Sequence, residues 1–83
     1  MDDAERKVRL ENLERLRQTA EKAYDEMYEA HSYRDANDFY REAKECYYDA
    51  IALAQQLELN DEAEKMSERL LHIKAVYRSQ FFQ

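Results

Sequence analysis

The stretch HSYRDANDFY, residues 31–40, decides the fold, because a regular apolar repeat loses its phase there. If the upstream repeat continued with the same spacing, Arg34 and Asp38 would fall on the apolar face. Asn37 and Asp38 suit helix caps better than helix interiors. The break therefore predicts a turn at Ala36–Asp38 rather than one continuous helical rod. The upstream repeat alternates steps of three and four residues, as one face of an α-helix does, at positions 10, 13, 17, 20, 24, 27 and 31.

Two further apolar stripes follow the predicted turn, and both have helical spacing. The second turn lies in LELNDEAE, where Asn60 can take the left-handed conformation that ends a helix. Asp61 can cap the next helix, and Glu64 completes a capping box with it. The second stripe is Tyr40, Ala43, Tyr47, Ala50, Ala54 and Leu57, and the third is Ala63, Met66, Leu70, Ile73, Tyr77 and Phe81.

These stripes predict an all-α fold, an antiparallel three-helix up-down-up bundle with helices over about 3–35, 38–58 and 61–81, in one domain spanning 1–83. The first helix would be ~48 Å long against ~30 Å for the others, so its first turns would overhang the bundle. An overhang would leave three leucines wet, at ~1.5–3 kcal/mol each. Either the start of the helix frays and the leucines stay wet, or a second chain covers them. We favour a second chain, in a homodimer, that covers Leu10, Leu13 and Leu16.

Composition excludes several functional classes. The chain has a net charge of −6 with both signs interleaved, so it lacks the basic stripe of a nucleic-acid-binding protein. It contains no glycine, which excludes the usual phosphate-binding loops, and one cysteine, which excludes an internal disulfide. No apolar run approaches the ~20 residues that span a membrane, and MDDAERK does not resemble a signal peptide. We expect a cytoplasmic protein that does not bind membranes.

No arrangement of residues in the sequence predicts catalysis, so we expect neither an enzyme nor a bound cofactor. Cys46 lies on an apolar row, where a thiol is structural rather than reactive. His31 and His72 are candidate metal ligands, but neither follows a glutamate by three residues as in helical di-metal sites. A metal- or small-ligand-binding bundle is the alternative to the function favoured below.

The chain contains seven tyrosines, and three of them lie off the apolar stripes: Tyr28, Tyr33 and Tyr48. Exposed tyrosine is a favoured interface residue, because it is large and amphipathic and has few rotors. We therefore predict Tyr28 and Tyr48 as partner anchors. We add Phe82, which lies off the third stripe in the segment YRSQFFQ and can form a docking patch. The favoured function is a small non-catalytic protein–protein interaction module, an adaptor or a chaperone-like subunit.

Residues 40–57, YREAKECYYDAIALAQQL, resemble the second helix of a tetratricopeptide (TPR) repeat. That family places a small residue, an aromatic four later and an alanine three after that, as at Ala43, Tyr47 and Ala50. The resemblance covers about 24–80 and implies a TPR-like helical hairpin that takes part in protein–protein interaction. The segment LLHIKAVY resembles the first helix of a following repeat, whose packing positions are Leu70, Ile73 and Tyr77.

Overall fold

The structure is a computed structural model that describes residues 1–81. Within them the chain forms three helices, α1 (Asp3–Glu29), α2 (Tyr33–Gln56) and α3 (Asn60–Phe81). α1 packs antiparallel along α2, and α2 packs antiparallel along α3, while α1 and α3 meet chiefly through side chains. The predicted all-α three-helix bundle is confirmed.

The first turn lies earlier than the sequence predicted, and the placement at Ala36–Asp38 is wrong. Ser32 is the N-cap of α2, and its hydroxyl accepts a hydrogen bond from the Asp35 backbone N–H at 3.1 Å. Ala36 is completely buried inside α2. Asn37 is kept within the helix by a tertiary contact, because its side-chain oxygen accepts a 3.0 Å hydrogen bond from the Tyr77 hydroxyl.

The second turn lies where the sequence placed it, but a different residue makes it. Glu58 takes the left-handed conformation with φ of 60°, while Asn60 already belongs to α3. The Glu58 N–H donates to the Gln55 carbonyl at 3.0 Å, and the Leu59 N–H donates to the Ala54 carbonyl at 2.8 Å. These two bonds are the Schellman arrangement, which satisfies carbonyl groups left free at a helix end.

Because the first turn lies earlier in the chain than predicted, α1 is shorter and does not overhang the bundle. α1 has 27 residues and α2 has 24, so their lengths nearly match. The Arg6 guanidinium, near the start of α1, lies 3.5 Å from the Leu57 carbonyl oxygen at the end of α2. Leu13 is only 7% exposed in the core, and Leu16 packs against that core. Leu13 and Leu16 therefore need no second chain to cover them, whereas Leu10 is 39% exposed, and the homodimer stays a prediction.

The core is built from alanines where helices cross and from larger side chains between them. A completely buried alanine lets two helix backbones approach closely, as the small-residue pattern of α2 indicated. Met27, Leu57 and Ile73 fill the remaining space. In the described part of the chain no helix is long and apolar enough to cross a membrane. The completely buried alanines are Ala20, Ala36, Ala43, Ala50 and Ala54.

Candidate functional site

The candidate site is the α1/α3 groove, a shallow trough between the C-terminal halves of α1 and α3. It exists because both helices rest on α2 and run parallel without interlocking their own backbones. The trough has a volume of about 630 Å³. It is open rather than enclosed, which suits a peptide segment better than a small molecule. Its lining residues are Tyr28, His72, Ala75, Val76, Ser79 and Gln80.

Outside the groove lining, α1, α2 and α3 also meet at the Glu21 cluster, which we define as Glu21, Arg69, Tyr47 and Tyr24. Arg69 donates two hydrogen bonds to the Glu21 carboxylate, at 2.7 and 3.0 Å. The Tyr47 hydroxyl donates to the same carboxylate. The Arg69 guanidinium lies 4.9 Å from the centre of the Tyr24 ring. One residue from each of the three helices thus meets at this carboxylate.

The electrostatics of the Glu21 cluster hold each group in one protonation state. The hydrogen bonds from Arg69 lower the pKa of Glu21, so this carboxylate is charged at neutral pH. Burial, followed by the hydrogen bond to Glu21, raises the pKa of Tyr47, so this phenol stays protonated. Neither pKa moves towards 7, where a general acid or base works best. The arrangement suits a structural tie between helices rather than proton transfer.

These shifts predict how stability depends on pH. The raised pKa of Tyr47 adds stability that is complete below the usual phenol value of 10.0 and is lost as pH rises beyond it. Tyr47→Phe should therefore cost about 1–2 kcal/mol at pH 7, and the difference from wild type should shrink above pH 10. Denaturant titrations at several pH values measure both quantities. Tyr48→Phe, at the exposed neighbouring tyrosine, is the matched control, and an unchanged Tyr47→Phe difference at high pH would contradict the prediction.

Tyr28 is the most prominent side chain of the α1/α3 groove. It is 59% exposed, and it also borders a second depression on the outer side of α1 that Tyr24, Asp25 and Glu29 line. Gln80 donates a 3.3 Å hydrogen bond to the Tyr28 backbone carbonyl and so joins the two walls. An exposed aromatic ring between two depressions is available to a partner on either side.

The second depression, which shares Tyr28 with the groove, carries carboxylates without ion-pair partners. Asp25 and Glu29 form no ion pair within residues 1–81, and neither depression beside Tyr28 is lined by a lysine or arginine. The last turn of α1 contains no basic residue either. Because a helix C-terminus is the negative end of the helix dipole, these carboxylates add to an existing negative field.

The predicted partner residues lie in different places. Of the six, Tyr28 lines the α1/α3 groove. Leu10 is partly exposed, whereas Leu13 is buried and Leu16 packs on the core. Tyr48 is exposed elsewhere, beside α3, where the Lys74 ammonium donates to its hydroxyl at 2.6 Å. Phe82 lies outside the described residues. A partner role for any of them stays a prediction.

The histidines and the cysteine do not form a site together. His31 is exposed next to the first turn, whereas the His72 ring meets the Tyr24 ring edge-on with centroids 6.3 Å apart. Residues 1–81 contain no group of three or more His, Cys, Asp or Glu side chains that could hold a metal ion. Cys46 is half-buried, and burial raises the pKa of its thiol, so the reactive thiolate is disfavoured.

The sequence singled out two of the groove residues, Tyr28 as a partner anchor and His72 as a candidate metal ligand, but not the others. Nothing in the sequence marked Val76 and Gln80 as groove residues, because their position in the groove depends on which face of α3 is turned towards α1. Arg69 was not marked either, because it is one of thirteen lysine and arginine residues in a highly charged chain. Comparisons of the chain with protein-family models, with characterised proteins and with solved structures returned no match, and the resemblance to a TPR hairpin stays a prediction.

Proposed function

We propose that the protein is a small non-catalytic interaction module that binds a segment of another protein in the α1/α3 groove. The observation that carries the proposal is Tyr28, an aromatic side chain 59% exposed beside a trough whose floor includes Ala75 and Val76. Tyrosines that keep a large apolar surface in contact with water are frequent binding hot spots. An adaptor or a chaperone-like subunit would use such a surface.

The shape of the groove supports a helical partner. On α3 the lining residues recur three and four positions apart, at His72, Ala75, Val76 and Ser79, so they form a continuous ridge along one helix face. Ridges of this kind pack into the grooves of another helix. A partner helix lying between α1 and α3 would bury this ridge and the Tyr28 ring together.

The protonation states in the Glu21 cluster support a non-catalytic function. The hydrogen bonds from Arg69 keep Glu21 charged, and burial together with the hydrogen bond to Glu21 keeps Tyr47 protonated. Self-association through Leu10, Leu13 and Leu16 is not part of the proposal, because Leu13 already packs in the core of its own chain. No observation favours the metal-binding alternative.

Selection of helical peptides from a displayed library against the purified protein tests the proposal. We expect peptides with micromolar affinity whose binding weakens at least tenfold, or about 1.4 kcal/mol, in Tyr28→Ala. Tyr48→Ala is the matched control, since it removes a tyrosine that is 49% exposed and does not line the groove. Selected peptides that bind Tyr28→Ala as tightly as wild type would place the binding surface elsewhere and contradict the proposal.

A further inference from the structure

We infer that the segment bound in the α1/α3 groove is cationic, an amphipathic helix with apolar side chains on Tyr28 and Val76 and with lysine or arginine facing Asp25 and Glu29. The inference rests on the proposed function and adds the chemical class of the partner. It is carried by the unpaired carboxylates that share a depression with Tyr28 and by the surroundings of the tyrosine rings.

The carboxylates nearest the exposed Tyr28 ring have no cation of the described chain paired with them. Towards the start of α3, Glu62 has Arg17 at 3.6 Å and Lys65 at 3.9 Å, and Glu21 has Arg69 at 2.7 Å. Beside Tyr28 no such partners exist in the described part of the chain for Asp25 or Glu29. The exposed aromatic anchor is therefore flanked by two carboxylates that cations of a partner can pair with.

The tyrosine rings also differ in whether a cation of this chain lies over them. Lysine or arginine cations of this chain lie 4.9–5.1 Å from the ring centres of three tyrosines, at Tyr24, Tyr40 and Tyr48. Among residues 1–81 no cation lies over the Tyr28 ring, although this ring is the most exposed of the four. Cation–π contacts favour lysine and arginine near such a ring. A basic side chain of a partner would complete on Tyr28 the contact that the chain makes for itself elsewhere.

The whole molecule favours the same class of partner. Its net charge of −6 attracts basic segments at long range and repels acidic ones. The carboxylates at the end of α1 also meet the negative end of the helix dipole, so a cation there relieves an unfavourable arrangement. An acidic peptide, a nucleic acid or an anionic membrane would encounter like charge at these carboxylates.

Two designed peptides test the inference. Both carry the same leucine stripe along about 15 residues, a length that an amphipathic helix needs in order to form. One has lysines flanking the stripe, and the other has glutamates at the same positions. Titration of each into isotope-labelled protein, followed by NMR, reports both affinity and the residues that move. We expect the lysine peptide to bind at least tenfold more tightly and to shift the Tyr28 and Val76 signals.

Charge-removing variants locate the effect. Asp25→Asn together with Glu29→Gln should weaken the lysine peptide about threefold to tenfold and flatten its dependence on salt concentration. The matched control is Asp61→Asn together with Glu64→Gln, which removes the same charge from exposed positions at the other end of α3. Equal weakening by both pairs would mean unspecific attraction to an acidic protein and would overturn the inference.

The remaining outcomes separate the two proposals. If the glutamate peptide binds as well as the lysine peptide and shifts the same groove signals, the cationic partner is wrong while the groove remains a binding site. If the library-selected peptides leave the groove signals unchanged and bind Tyr28→Ala normally, the proposed function fails and the inference fails with it.

Discussion

Ile73→Ala should destabilise the protein by about 2–5 kcal/mol, because it leaves a cavity where no water can enter. Ile73 is 0% exposed and belongs to the core cluster that also contains Tyr47 and Leu70. Domains of this kind have a total stability of about 5–15 kcal/mol, so the variant should lose much of its margin. Urea titration followed by circular dichroism measures the change.

Leu71→Ala is the matched control for that prediction. Leu71 lies on the same helix but is 65% exposed, so shortening it should change the free energy of unfolding by less than about 0.5 kcal/mol. Similar losses in the two variants would mean that α3 presents a different face to the rest of the chain. In that case the ridge of His72, Ala75, Val76 and Ser79 would not line the groove either.

Ala50→Leu should destabilise the protein by about 1–3 kcal/mol through overpacking. Ala50 is completely buried in the core cluster, where its methyl group leaves no room for a larger side chain. Leucine and alanine have similar helix propensities, so the loss would come from packing rather than from α2 itself. Thermal unfolding at matched protein concentrations measures the effect.

Ala52→Leu controls for the added side chain, because Ala52 is exposed on the same helix. We expect its stability to stay within about 0.5 kcal/mol of wild type. A tolerated Ala50→Leu would show that the helices can separate at this position. The close approach inferred from the buried alanines would then be incorrect.

Helical periodicity predicted the fold well, since spacing along the chain reports directly which face of a helix is buried. The α2 stripe illustrates this, because five of its six residues are buried in the structure, namely Ala43, Tyr47, Ala50, Ala54 and Leu57. The third stripe behaves in the same way for α3, where Ala63, Met66, Leu70, Ile73 and Tyr77 are buried.

The first turn was harder to predict because two local signals competed. Asn37 and Asp38 are residue types favoured at helix N-caps, but Ser32 is the residue that caps α2. Asn37 has a partner for its side chain in Tyr77, which is 40 residues away in sequence. Such a tertiary contact offsets a poor helix propensity, and no local pattern reveals it. The misplaced turn then produced the incorrect overhang.

The candidate site was only partly predictable. Tyr28 could be identified because it falls off the apolar stripe, which marks an exposed aromatic residue. The Glu21–Arg69 pair could not, because the two residues are 48 positions apart and meet only through the relative register of α1 and α3. The unpaired state of Asp25 and Glu29 likewise depends on which cations the fold brings near them.

The C-terminal half of α3 is anchored to α2, so the backbone of the groove is fixed before any partner binds. The Tyr77 ring is 4% exposed and stacks on the Tyr40 ring with centroids 4.0 Å apart, and its hydroxyl donates to the Asn37 side chain. The Gln80 bond to Tyr28 is exposed by contrast, so it costs little to break. A preformed surface lowers the entropic cost of binding. Selectivity among partner helices would therefore depend on how well their side chains fit an existing shape.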